Sequence, residues 1–510
     1  MTDELTRLAN SVLWPGFFGT SLEGDGAPAW LLAALEDDLA GVVYFGQNIS
    51  AELPELSARI RAANPHALIG IDEEGGSVTR LEVATGSTLP GAAQLGIVDD
   101  VAATAATGAE LARRARAAGI NVVLGPVADV NTDPRNPVIG VRAFGADAAL
   151  VSRHVVATVE GLQHGGVAAC VKHFPGHGDT HLDSHHALPV ITLDPAEIED
   201  VHLEPFRAAI AAGVDSIMTA HIVVPAWGER PATLNPAVLG RLREMGFEGV
   251  IITDALDMAA VRESVGIGGA AVQALAAGAD LLCIGNPTNP GSAAHADQDE
   301  RDYLTAREAV VAALRDGTLP RERVEQARDR VRMLAAKRAG TVEHAPRDAD
   351  DESDTATYDA SEIVRRALRV ADSTGASHAT PDAAASVLSV IDARRRSTLA
   401  VDSAASYVAD GLAGDGFRVR LDVDRATDEE RDAALNAAIA SDGRLVLLID
   451  RPDVADAQRA LVELASVRDA DAVVVNVGLP ARHPLSLPIV EVAAASRVGA
   501  EAARDLLLGR

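Results

Sequence analysis

The feature that most restricts what this chain can fold into is a recurrence. Eight short apolar runs, at residues 11–17, 41–45, 67–72, 121–125, 167–173, 215–221, 249–254 and 280–285, are separated by segments with helical amphipathic spacing. Strands that alternate with helices pair in parallel, because each helix carries the chain back across the sheet before the next strand begins. Eight such units match the count of a (β/α)8 barrel, whose chemistry gathers at the carboxyl ends of the strands. The polar residues obey that rule: Asp72, Asp129, Lys172, His173, His221 and Asp254 each stand where an apolar run ends.

Past this region the sequence turns polar and acidic (GTVEHAPRDADDESDTAT), which reads as a linker. Four further apolar runs, at 387–392, 444–450, 472–478 and 488–493, alternate with Ala-rich helical stretches and predict a smaller, open α/β sandwich. The expected organisation is therefore a TIM-like barrel over 1–340, a linker over 341–360 and an α/β sandwich over 361–510.

Composition narrows the function classes. Asp and Glu total 74 against 45 Lys and Arg, a net charge of −29 that repels nucleic-acid phosphates and anionic headgroups. Cys170 and Cys283 both lie inside apolar runs, which predicts two buried free thiols rather than a disulfide and fits a reducing compartment. The N-terminal residues hold no apolar stretch of signal-peptide length, and no run of 18 apolar residues occurs, so a cytoplasmic protein without membrane insertion is expected. Neither a dinucleotide-binding nor a phosphate-loop glycine motif is complete. Lys172 and Lys337 are the only lysines.

The densest chemical signal is VKHFPGHGDTHLDSHHALP, residues 171–189. Pro175, Gly176 and Gly178 forbid a regular helix, so the segment should leave its strand as a loop over the barrel mouth. Asp183 and His185, two residues apart, can meet there, with the carboxylate orienting the imidazole and favouring its protonated form, an acid/base pair. A zinc site is the rival reading, since His173, His177, His181 and His185 recur every fourth residue; such a ligand ladder needs the helix that the glycines and proline break. The second signal is GVIITDALDM, residues 249–258. A carboxylate nucleophile must be ionised and held rigidly against its electrophile, and Asp254 at a strand end meets that need. Asp257 competes with it, but its expected task is to cap the following helix. The third, IGIDEEGGSVTRL at 69–81, shows only Asp72 ending a strand and a tight glycine turn before Arg80.

Together these segments closely resemble family 3 of the glycoside hydrolases, in its β-N-acetylglucosaminidase branch. The most specific mark is KHFPGHGDT followed by DSH, at 172–180 and 183–185. The resemblance implies an acid/base dyad of Asp183 and His185, a nucleophile at Asp254 in the TDALxM pattern, and sugar-binding positions at Asp72, Arg80, Arg142, Lys172 and His173. It implies a retaining hydrolase that releases β-linked N-acetylglucosamine from chitooligosaccharides or cell-wall muropeptides, needing no metal or organic cofactor. A phosphorylase using the same residues is the near alternative, because a histidine acid/base repels an incoming phosphate less than a carboxylate does. Many relatives carry Gln and Arg where this chain has Glu73 and Ser77, and an acidic residue where it has Val141; His181 and His186 are additional to the motif.

Overall fold

The structure, a computed structural model, describes residues 3–19, 27–180, 188–342, 358–375, 386–395 and 405–510. All eight apolar runs of the first region become strands: β1 Leu13–Pro15, β2 Gly41–Tyr44, β3 Leu68–Ile71, β4 Val122–Val123, β5 Ala168–Phe174, β6 Ser216–Thr219, β7 Val250–Ile252 and β8 Leu282–Gly285. Strands β2 to β7 form a parallel sheet in sequence order. A parallel bridge between Ile252 and Leu281 carries the order on to β8, which pairs in parallel with β1. Ahead of β1 and β2, the Ala40 N–H donates to the Asn10 carbonyl at 3.1 Å, so the ring closes on itself. Trp14, Val43, Leu68, Val122, Cys170, Met218, Val250 and Cys283 pack with one another, one from each strand, filling the barrel with side chains.

One end of this barrel is plugged. Val331, Leu334 and Ala335 of the helix Arg321–Val342 join the same core, and the helix brings cations to two buried carboxylates that precede strands. Asp280, fully buried, pairs with Arg243, with Arg323 at 2.6 Å and with Arg330 at 3.2 Å. Asp215 pairs with Arg338 and, at 2.6 Å, with Lys337. Burying a carboxylate is tolerable only with partners of this kind. Lys337 therefore serves the closed amino-terminal end of the barrel, leaving the carboxyl ends of the strands for chemistry.

The second unit is a six-stranded sheet in the order β11-β10-β12-β13-β14-β9, where β9 is Arg369–Ala371, β10 Leu388–Asp392, β11 Arg418–Arg420, β12 Arg444–Ile449, β13 Val473–Asn476 and β14 Ile489–Glu491. All pairings are parallel except that of β9 with β14. Alternate residues feed opposite cores: Leu445, Leu447 and Ile449 pack with the helices Asp428–Ile439 and Asp456–Arg468, while Val446 and Leu448 pack with Ser406–Ala413 and Arg497–Leu507. The expected α/β sandwich is present, as a sheet with helices on both faces.

The two units are not consecutive lengths of chain. Residues 75–103 and 138–145, placed within the barrel by the sequence reading, group with residues 359–510, whereas Tyr358 groups with the barrel. The first of these insertions is tied down by specific bonds: Gln94 Nε2 donates to the Val492 carbonyl at 2.9 Å, the Ala495 N–H donates to Ser77 Oγ at 2.8 Å, and Arg366 meets Asp100 at 3.1 Å. Among the described residues no helix is long and apolar enough to cross a membrane, and both cysteines are buried and free as expected.

Candidate active site

Four of the eight candidate residues come together in the barrel. Asp72 follows β3, Lys172 and His173 lie within β5, and Asp254 stands two residues past β7. Lys172 Nζ sits 2.6 Å from Asp72 Oδ1 and 2.7 Å from Glu74 Oε1, with only 2% of its side chain exposed. The lone ammonium thus bridges two carboxylates, and the three groups carry a net negative charge. Glu74 went unread in the sequence, where nothing separates it from Glu73.

His173 is anchored by a carboxylate. Its Nδ1 lies 2.8 Å from Asp129 Oδ2, and Asp129 Oδ1 accepts the backbone N–H of His177 at 2.6 Å. Burial opposes ionisation of Asp129, but the neighbouring imidazole of His173 and the His177 N–H outweigh it and hold the carboxyl below its usual range. An ionised Asp129 takes the Nδ1 proton of His173 as a hydrogen bond, which leaves Nε2 for a ligand hydroxyl. His177 follows in the turn after the strand, with Nδ1 2.8 Å from Thr180 Oγ1. Burial pushes its imidazole down to about 4, against the pull of Asp129, so it is neutral near pH 7. His173 stands on a strand and His177 on the turn after it, so these two do not share the helical face of a four-residue ligand ladder; His181 and His185 lie outside the described residues. Gly178 is obligatory in this turn: a Cβ there would lie 1.8 Å from the Val130 carbonyl oxygen.

Asp254 is held through its backbone. Its N–H donates to Thr219 Oγ1 at 3.3 Å, its Oδ1 accepts the Ala255 N–H at 2.8 Å, and His221 Nε2 donates to the Ala255 carbonyl at 2.8 Å. Thr219 and His221 in turn meet Thr233 Oγ1 at 2.8 and 2.9 Å. The charge of Asp254 is felt at Cys170, His177 and Cys283, and that of Asp72 at both thiols, which puts the two carboxylates in one electrostatic neighbourhood with Lys172.

The expected capping role of Asp257 is not what the structure shows. Met258 is the N-cap residue of the helix Ala259–Ala277 and no side chain caps it; Asp257 instead turns its carboxylate to Asn289 Nδ2 at 2.8 Å. Arg80 and Arg142 belong to the second unit, where Arg142 is buried on a short 3-10 turn and donates to the Val138 carbonyl at 3.3 Å. Asp183 and His185 lie outside the described residues.

Carboxylates, imidazoles and one ammonium at the carboxyl ends of parallel barrel strands make this a candidate enzyme site, with groups of the kinds that nucleophilic and acid/base chemistry use. Residues 32–334, more than half of the chain, match the glycosyl hydrolase family 3 N terminal domain, and the chain belongs to that family. It is 36% identical over 304 residues to a beta-hexosaminidase of Stenotrophomonas maltophilia, an alignment covering 56% of this chain and 86% of that protein. It is 35% identical over 274 residues to beta-hexosaminidase A of Pseudoalteromonas piscicida, covering 48% of this chain but only 46% of that longer protein. A solved glycoside hydrolase family 3 beta-N-acetylglucosaminidase from Paenibacillus sp. superposes with a TM-score of 0.82 at 31% identity, covering 100% of this chain and 97% of that one. The chain is a glycoside hydrolase.

Proposed function

We propose that this enzyme releases β-linked N-acetylglucosamine with retention of configuration, from chitooligosaccharides or from muropeptides met in the cytoplasm. The observation that carries the reading is Asp254: a carboxylate beyond a barrel strand, fixed by Thr219 and the Ala255 N–H, in the same neighbourhood as the Lys172 bridge. Its carboxylate attacks the anomeric carbon through an oxocarbenium-like transition state while His185, oriented by Asp183, protonates the leaving oxygen; water then attacks the glycosyl-enzyme as His185 takes its proton. Asp72, Lys172 and His173 are assigned to sugar hydroxyls, with fixed acceptors and donors at one wall of the site. Motif resemblance alone assigns the same task to Arg80 and Arg142.

The deciding assay compares an aryl N-acetylglucosaminide with an aryl glucoside, each with and without phosphate. Free N-acetylglucosamine formed at a rate independent of phosphate is expected. Exclusive formation of sugar 1-phosphate would replace the hydrolase reading with a phosphorylase, and loss of turnover after chelation would restore the zinc reading.

A further inference from the structure

Asp257 is the one residue of the Asp254–Met258 turn whose chemistry the scheme leaves unused. It is 4% exposed. Oδ2 accepts the Asn289 amide at 2.8 Å, while Oδ1 is buried without a hydrogen-bond partner among the described residues. The carboxyl rests on the bare Cα of Gly285, the last residue of β8: a Cβ there would fall 1.8 Å from Oδ1. The turn itself is zipped to β8, with the Leu256 N–H donating to the Cys283 carbonyl at 2.9 Å and the Asp257 N–H to the Ile284 carbonyl at 3.1 Å. Asp257 thus closes the short connection that begins at Asp254, seated on a strand that has no room for any other residue at 285.

We propose that Asp257 is a positioning residue, held as the neutral acid, whose side chain locks the nucleophile turn onto β8 and whose ionisation adds an alkaline limb to activity separate from loss of the His185 proton. A buried carboxylate with one oxygen unpaired is driven toward water, and the route out is to pull the turn off β8. Among the described residues, the titratable and charged neighbours are Arg262 on the helix Ala259–Ala277, Asp302 on the helix Gln298–Asp316, and the Cys283 thiol on β8. Burial pushes the Asp257 carboxyl up to about 8; the Asn289 amide and Arg262 pull it down, and Asp302 pushes it further up. Asp302 is itself raised by burial and accepts from Gln298 Nε2 at 2.8 Å.

The proposal rests on Asp254 as the nucleophile, and its test separates the two. The pH profile of kcat/KM is measured for the full chain on an aryl N-acetylglucosaminide whose leaving group departs without protonation, so that loss of the His185 proton does not shape the limb. Wild type should fall by about 10-fold between pH 7 and pH 9, the titration of one group near 8. In Asp257→Asn, which carries a neutral side chain of the same shape, the ratio between those pH values should approach one. Two flanking variants give shifts of opposite sign: Asn289→Ala removes a donor that favours the ionised form and moves the limb to higher pH, and Asp302→Asn removes a like charge and moves it to lower pH. A wild-type limb retained in Asp257→Asn, a folded but inactive Asp257→Asn, or a limb unmoved in both flanking variants overturns the proposal. If Asp257→Asn does not fold, the flanking pair decides. Activity in Asp254→Ala would remove the nucleophile assignment by itself, whatever the Asp257 profile shows.

Discussion

Replacing Lys172 with Met tests whether the bridge at the barrel mouth is built as described. The ammonium is 2% exposed, Glu74 8% and Asp72 22%, so the variant leaves two carboxylates together with their shared cation gone. Removing one partner of a buried ion pair costs about 3–5 kcal/mol, because the remaining charge loses compensation without regaining water. Asp72 keeps part of its hydration, which places Lys172→Met toward the lower end, about 3 kcal/mol. The pairing energy is isolated by a cycle with Glu74→Gln: the double variant should recover about 1–2 kcal/mol of the loss, within the range found for residues in direct contact. Denaturant unfolding supplies the stabilities, and kcat/KM on an aryl N-acetylglucosaminide supplies the second readout. Activity should fall about 100-fold in Lys172→Met and stay low in the double variant, since displacement of a substrate contact is not repaired by relieving a neighbouring charge. Equal stability of Lys172→Met and wild type, or full activity in the double variant, would refute the reasoning.

Two buried groups set opposite pH dependences of stability. His177 is neutral in the native state until about pH 4, whereas an unfolded histidine binds its proton below about 6.5; stability is therefore lost as pH falls through that window, by up to about 3 kcal/mol, and His177→Gln should flatten the acid limb of a denaturation series. Glu491, buried on β14 and bonded to Asn476 Nδ2 at 2.5 Å and the Ala481 N–H at 2.9 Å, is pushed up to about 7 by burial. Its native form keeps a proton that the unfolded chain releases above about 4.5, so stability is lost as pH rises toward 7, and Glu491→Gln should abolish that loss. A wild-type slope in either variant would show that the residue does not titrate as its surroundings dictate.

The eight barrel strands were legible because strands covered on both faces read as uninterrupted apolar runs. The same logic hid β9 and β11. Both are three-residue edge strands, and Arg418 and Arg420 stand exposed at either side of Val419, so no apolar run marks them. Asp254, Lys172 and His173 were visible at the ends of their runs. Glu74 was not, because its task is set by an ammonium about a hundred residues further on, and only the closed barrel brings the two together. Asp257 looked like a helix cap by its position alone; the glycine at the end of β8 gave its carboxyl a different seat. The grouping of residues 75–103 with the second unit is held in part by bonds that join Ser77 and Gln94 to backbone groups beyond residue 490, which no local pattern announces.

The central claim is that Asp254 forms a covalent bond to the sugar. A fluorinated N-acetylglucosaminyl substrate analogue, which forms the glycosyl-enzyme faster than water removes it, is incubated with the intact chain, and the labelled protein is digested and sequenced by mass spectrometry. The account predicts one sugar per chain, on the peptide containing Asp254 and on that side chain. A label on Asp257 or elsewhere, or no label while the analogue is turned over, would contradict it.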